Sequence, residues 1–356
     1  MKKNVLRCLI LFLLLLAVCA LLGIGLLTLT EYRPKETETI VADHAVSPVL
    51  KAGAPLTAMS WNCGYGALGD NADFFMDGGS SVYTADKPRV MQNLQGLHSV
   101  LSSLDPDFVL LQEVDRNSSR SYGTDECLFL REGLRAGFEA FAYNFNALYV
   151  PYPLPPIGHV ESGLYTLSSA EIRTAERLSL PCPFSWPIRT VNLKRCLLVS
   201  RIPVEGQERE LVLANLHLEA YDSGEGKEAQ MRQLADFMHA EYEKGNYVIA
   251  GGDFNHHFSQ IDLSAYPIFP GLWQPGHTDF DAFGEHFSLC MDPSVPTCRS
   301  LDRAFAGEDP EGFQFYMIDG FIVSDNVQVD SLQTLQEGFS CSDHNPVLLQ
   351  FTLLPS

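Results

Sequence analysis

This 356-residue chain predicts an α/β domain with buried strands, preceded by one N-terminal transmembrane helix. Three observations carry that prediction. From Cys8 to Thr30 there are 23 residues without a charge. Further on, the strand-length apolar runs Phe108–Leu111, Leu211–Leu216 and Tyr247–Ala250 have the signature of strands covered on both faces. Between those runs, apolar residues recur at helical spacing, as in Val90, Leu94, Leu97 and Leu101.

A helix rises about 1.5 Å per residue, so the uncharged run can cross a hydrocarbon core of about 30 Å. Lys2, Lys3 and Arg7 precede it, which places the N-terminus in the cytoplasm and the rest outside. A cleaved signal peptide would have an apolar core of about 7–15 residues followed by a small-residue cleavage site, and neither is seen. Leu16-Ala17-Val18-Cys19 resembles a lipoprotein box faintly, but apolar residues continue past Cys19. The expected organisation is residues 1–33 as cytoplasmic N-terminus and anchor, 34–55 as a tether with Pro34, Pro48 and Pro55, and 56–356 as one extracytoplasmic domain on a single-pass membrane protein.

The net charge is -20; residues 1–33 hold Lys2, Lys3, Arg7 and Arg33 against Glu31, a sum of +3, so the exported part carries -23. Such a field disfavours nucleic acid and anionic surfaces unless a local patch overrides it. Arg173, Arg177, Arg189, Lys194, Arg195 and Arg201 form the one basic cluster, read as a solvated strand face with a phosphate-binding patch as the alternative. Nine cysteines, two of them inside the anchor, lack CxxC spacing. Pairing of Cys290 with Cys298, or of Cys182 with Cys196, stays open, and most read as small core residues.

Thr57–Trp61 reads as a strand delivering Asn62, followed by a glycine-punctuated loop and an amphipathic helix over 88–104 that Asp105-Pro106 stops. Phe108–Leu111 then leads into Gln112-Glu113. Leu211–Leu216 ends in His217, and a helix carrying Met231, Leu234, Met238 and Tyr242 follows, closed by Gly245. Tyr247–Ala250 runs into Gly251-Gly252-Asp253-Phe254-Asn255. Phe315–Ile318 leads to Asp319, and Ser342-Asp343-His344 precedes a last strand from Val347 to Thr352.

Alone, each polar group has a structural explanation, because Asp and Asn after strands are commonly turn residues. Together, two histidines, several carboxylates and two asparagines recur at the mouths of separate buried strands, where α/β folds bind ligands. Carboxylates crowded there require a cation, and oxygen donors such as Glu113 and Asn62 suit Mg²⁺ or Mn²⁺ better than zinc. His256 and His257 offer little for zinc, since neighbours on an extended chain point to opposite faces.

Ser60-Trp61-Asn62, Gln112-Glu113, Asn215-Leu216-His217-Leu218, Gly252-Asp253-Phe254-Asn255, Ile318-Asp319 and Ser342-Asp343-His344 together resemble the ordered motifs of the endonuclease/exonuclease/phosphatase superfamily, over roughly residues 57–354. The resemblance implies a four-layer α-β-β-α sandwich of two mixed sheets. It implies Glu113 as principal metal ligand with Asn62 beside it, Asp343 near the metal, and Mg²⁺ or Mn²⁺ as cofactor. It further implies His217 and Asn255 on the scissile phosphate, Asp253 on the attacking water, and Asp319 orienting a protonated His344. Pro296-Thr297-Cys298-Arg299 resembles another recurrent segment, with Arg299 a phosphate contact or a surface salt bridge. The expected activity is metal-dependent hydrolysis of a phosphoester, with a lipid headgroup or small ester favoured. The alternatives are a nuclease of the same fold and a non-catalytic tethered binding module. Phe141–Pro156, rich in Tyr, Phe and Pro, reads as core packing plus a rigid loop, with cleft rim or bilayer contact as the alternative.

Overall fold

The structure is a computed structural model that describes residues 2–40, 49–305 and 312–355. Helix α1 (Lys2–Leu29) is long and apolar enough to cross a membrane, and its window is not buried against protein. Two large sheets then face one another.

The six-stranded sheet is built around a parallel pair, β2 (Pro55–Asn62) and β3 (Phe108–Asp115), joined through helix α2 (Lys87–Leu104). β3 is flanked by β5 (Gly158–Ser168) and then β4 (Phe138–Val150). On the other side of β2 lie Val347–Leu353 and Val327–Thr334. The seven-stranded sheet repeats the plan. Its parallel pair is β8 (Glu210–His217) and β9 (Tyr247–Asp253), joined through α3 (Glu225–Glu243). Beyond β8 come β7 (Cys196–Pro203), β6 (Thr174–Ser179) and β1 (Thr37–Ile40); beyond β9 come Asp319–Ser324 and Phe287–Cys290. Every other pairing in both sheets is antiparallel, so both sheets are mixed.

Side-chain alternation along the strands separates three apolar layers. Ala58, Phe108, Leu110, Leu213, Ile249 and Phe321 fill the space between the sheets. Met59, Trp61, Val109 and Leu111 point the other way, onto Leu94, Leu97 and Leu101 of α2. Val212, Ala214, Val248 and Ala250 likewise meet Met231, Leu234 and Met238 of α3. This is the expected four-layer sandwich. Asp86 caps α2, its side chain accepting from Arg89 N at 2.9 Å, and Asp105 ends it in a left-handed conformation. Phe108→Ala, at a fully buried position between the sheets, should cost about 3–5 kcal/mol, read as a lower denaturant midpoint.

The segment 34–55 is more than a tether. Thr37–Ile40 pairs with β6, bringing Glu38 level with Arg177, although residues 41–48 lie outside the described part. A four-residue edge strand of alternating exposure leaves too short a pattern to be seen in the sequence. The basic cluster also differs from a solvated face. Arg177 and Arg195 are buried, and Arg201 makes a two-pronged contact with Glu241 at 2.7 and 2.9 Å. All nine cysteines, which fall among the described residues, are free thiols.

Candidate active site

Because β2/β3 and β8/β9 are parallel pairs, each delivers two neighbouring C-terminal ends to the same edge of the sandwich. Asn62 lies level with Gln112, and His217 with Asp253; antiparallel pairing sets Asp319 level with Asp253. Gln112 and Asn215 tie the two sheets together beneath the site. Gln112 Nε2 donates to Asn215 Oδ1 at 2.9 Å, while Asn215 Nδ2 donates to Leu111 O and Tyr165 O.

Local backbone geometry aims the polar groups. The β3–β5 register shifts between Leu111 and Val114, and within this irregularity Glu113 adopts φ 52°. A left-handed non-glycine residue on a bulge re-aims its side chain, here into the cleft. Gly252 has φ 150°, and a Cβ on it would lie 1.9 Å from Leu216 O, so the Gly-Asp turn admits no larger residue there. Gly252→Ala should therefore remove activity together with native stability, measured by thermal unfolding beside an assay.

Asp253 is the centre of the cluster. Its Oδ2 accepts from Asn62 Nδ2 at 3.0 Å and lies 3.5 Å from His217 Nε2 and 3.8 Å from His344 Nε2. Its Oδ1 accepts from Asn255 N at 2.9 Å. Burial, with the Asp319 charge next in weight, pushes its carboxyl up to about 7. His344 Nδ1 and Asp319 Oδ2 are 2.8 Å apart, both buried. Burial opposes charge on His344, but Asp319, Cys298 and Asp343 outweigh it and hold the imidazole well above its usual range. His217 is pushed the other way, by burial first and then by Arg195 and His344, so it is neutral. Asp253 thus lies between one imidazole held toward its neutral form and one held toward its charged form.

Thr297 explains the Pro296–Arg299 segment. Its Oγ1 accepts from the backbone N–H of Ile318 and of Asp319 at 3.0 and 3.1 Å, fixing Asp319. Arg299 is buried; its terminal nitrogens donate to the carbonyls of Ser300 and Gly69 at 2.8 and 2.7 Å. These bonds hold the 69–72 loop and exclude a surface salt bridge, while Arg299 also lines the cavity described below and its buried Nε takes no partner among the described residues. Asn255 Nδ2 donates to Leu218 O at 2.9 Å. His256 and His257 are buried and pushed down to about 4 by burial, outside both described groups of side chains close enough to share a metal.

The donor chemistry fits a hard divalent cation. Glu113 Oε1 lies 3.3 Å from Asn62 Nδ2 and 3.9 Å from His217 Nε2. Burial, and less strongly Glu113, push the Asp343 carboxyl up to about 6, as expected of acidic groups crowded without a cation. Asn62 turns its amide nitrogen toward the carboxylates and spends Oδ1 on Gly64 N at 3.0 Å, so it sits as an orienting donor. Among the described residues, two groups of side chains have ligand atoms close enough to share a metal: Asp253, Asp319 and His344, and Cys298, Asp343 and His344. Both include His344, whose charge and bond to Asp319 suit an anion contact better than metal ligation.

A cavity of about 150 Å³ opens over these groups. Its walls include Arg195 of the basic cluster and residues that the sequence did not single out: Tyr65, Asp77, Arg120, Tyr221 and Trp273. Tyr221 donates to Asp77 Oδ1 at 3.0 Å across the rim, and the Arg120 guanidinium stacks 3.6 Å from the Tyr65 ring. They come from loops of irregular length, where no periodic signal exists.

A four-layer sandwich with a buried carboxylate–imidazole cleft at one edge of both sheets defines the fold class of phosphoester-cleaving nucleases and phosphatases. The chain belongs to the Endonuclease/Exonuclease/phosphatase family, whose model matches residues 59–344, and enzymes of this family hydrolyse phosphoesters with divalent metals. Among solved structures, it is similar to an endonuclease/exonuclease/phosphatase from Beutenbergia cavernae, with 20% identity, 84% of this chain and 72% of that one covered, and a TM-score of 0.58. The endonuclease/exonuclease/phosphatase from Bacteroides vulgatus is similar at 16% identity, 84% and 99% coverage and a TM-score of 0.52. The human Nocturnin catalytic domain with bound sulfate anion is similar at 15% identity, 88% and 96% coverage and a TM-score of 0.51. No curated protein sequence matches the chain.

Proposed function

We propose that this protein is a membrane-anchored phosphoric ester hydrolase acting outside the cytoplasmic membrane with Mg²⁺ or Mn²⁺. The observation that carries this reading is Asp253, held within 4 Å of both His217, whose burial disfavours charge, and His344, whose bond to Asp319 favours it. Glu113 and Asp343 would hold the cation, with Asn62 orienting them, and it supplies Lewis-acid neutralisation of charge on the phosphoryl oxygens. Asp253 orients a water and draws its proton as the water oxygen attacks phosphorus in line with the leaving oxygen. The bond from phosphorus to that ester oxygen breaks, and a proton returns to it. His344, charged against Asp319, faces the developing negative charge, while His217 and Asn255 hold the phosphoryl group.

Phe74, Met76, Phe145 and Trp273 narrow the cleft, which favours a lipid headgroup or a small ester over a duplex. The test is a panel of double-stranded DNA, RNA, sphingomyelin, phosphoinositides and sugar phosphates with Mg²⁺, Mn²⁺ and Ca²⁺. Turnover of a lipid or small ester is expected; turnover of nucleic acid alone would establish the nuclease reading, and no turnover of any would favour the binding module. For topology, protease added to intact spheroplasts should remove the domain and spare the N-terminus; full protection would reverse the orientation.

A further inference from the structure

Apart from Phe145 on the cleft wall, the stretch from Phe141 to Pro156 and the segment 183–193 remain outside the catalytic account. The structure joins both to the end of α1. Trp186 Nε1 donates to Thr28 Oγ1 in the last turn of that helix at 3.0 Å. Just beyond, the buried Glu31 side chain is ringed by Arg33 at 3.0 Å, Arg189 at 3.3 Å and Lys194 at 3.5 Å. β1 then enters the sheet at Thr37, so little slack separates helix from domain. With α1 across a bilayer, the segment 183–193 lies at the level where the helix leaves the hydrocarbon.

The side chains at that level are the wrong kind for a water-facing surface. Trp186 and Ile188 are 55% and 58% exposed, and the tip between β4 and β5 carries Tyr152 at 71% and Leu154 at 87%. Scattered exposed apolar residues are ordinary. The two segments that carry these are packed together at their bases, because Val191 and Leu193 lie against Phe145, Val150 and Val160 of the β4–β5 hairpin. Trp and Tyr are the types that settle at membrane–water interfaces. Three cations around one carboxylate also leave this spot positive on a domain of otherwise negative charge. Phe145, Ile157 and Leu193 of the same apolar cluster line the catalytic cavity.

We propose that the face formed by the 183–193 segment and the β4–β5 hairpin lies in the bilayer that α1 crosses. Resting on the hydrolase reading, the substrate is then the phosphoester headgroup of a membrane lipid. It reaches the cleft along Phe145, Ile157 and Leu193 while its acyl chains stay in the membrane. The apolar wall of the cavity receives the glycerol or ceramide portion, and the polar floor receives the phosphate.

The test uses the full chain in phosphatidylcholine proteoliposomes. In a Trp186→Phe background, Leu154→Trp places a fluorophore at the hairpin tip, and lipids brominated on their acyl chains should quench its added emission. Unquenched emission overturns the docking surface, whatever the activity. In parallel, Leu154→Asp combined with Ile188→Asp should lower headgroup release from sphingomyelin or phosphoinositide vesicles by about tenfold or more. Hydrolysis of bis(p-nitrophenyl) phosphate, a soluble ester, should stay within about twofold of wild type. Equal loss on both esters overturns delivery from the membrane. Wild-type turnover of the soluble ester alone overturns the lipid substrate. Quenching with no turnover of either ester would leave the surface standing and remove the hydrolase reading beneath it.

Discussion

Asp319→Asn and His344→Ala should each lower kcat/KM by about 10²–10⁴-fold, and the double variant should be little worse than the poorer single. The two groups are 2.8 Å apart, buried, and joined through His344 Nδ1, so removing either destroys the same unit. The pH profile separates this role from simple packing. Asp319 and its neighbours raise the His344 pKa against the burial that opposes it. A raised histidine is charged below that pKa and loses its charge as pH rises through it, so activity falls on the alkaline side. Asp319→Asn removes the largest stabiliser of the charge, and the alkaline limb should move toward acid. On the acid side, Asp253 must be ionised to take a proton from water, and its carboxyl stands at about 7 without a cation. Cation binding favours the carboxylate and should move that limb to lower pH. Additive losses in the double variant, or an unmoved alkaline limb in Asp319→Asn, would show that the pair does not act as a unit.

EDTA should abolish hydrolysis, and Mg²⁺ or Mn²⁺ should restore it. Glu113→Gln should cost about 10²-fold or more in rate and raise the metal concentration needed for half activity. Glu113 stands on an irregularity of β3 with a partly exposed carboxylate, so the amide fits the same space and the fold should hold. Removing this charge also relieves Asp343, whose pKa Glu113 helps to raise. The metal-free variant should therefore be no less stable than the metal-free wild type, measured by chemical denaturation. Full activity in EDTA would remove the metal from the mechanism.

Much of this was legible in the sequence because it is periodic or positional. The uncharged 23-residue run, the amphipathic pattern of α2 and the doubly covered strands follow from how apolar side chains repeat every 3.6 or two residues. Polar residues at the ends of those runs, in their order, marked Glu113, His217, Asp253, Asp319 and His344 as one site. The sequence could not show which atoms meet. Asp319 and His344 are 25 positions apart, and only antiparallel pairing beside Asp253, with Thr297 fixing the Asp319 backbone, brings them into contact. Arg299 lines the cavity as its charge suggested, but the fold also ties its terminal nitrogens to loop carbonyls, because a buried guanidinium needs acceptors around it. Arg195, buried beside the cleft, had looked like one of several basic residues on a strand face. Residues 34–40 looked like slack chain, yet β1 closes the edge of a sheet. Each of these outcomes depends on long-range partners, and a side chain far along the chain leaves no periodic trace near the residue it will meet.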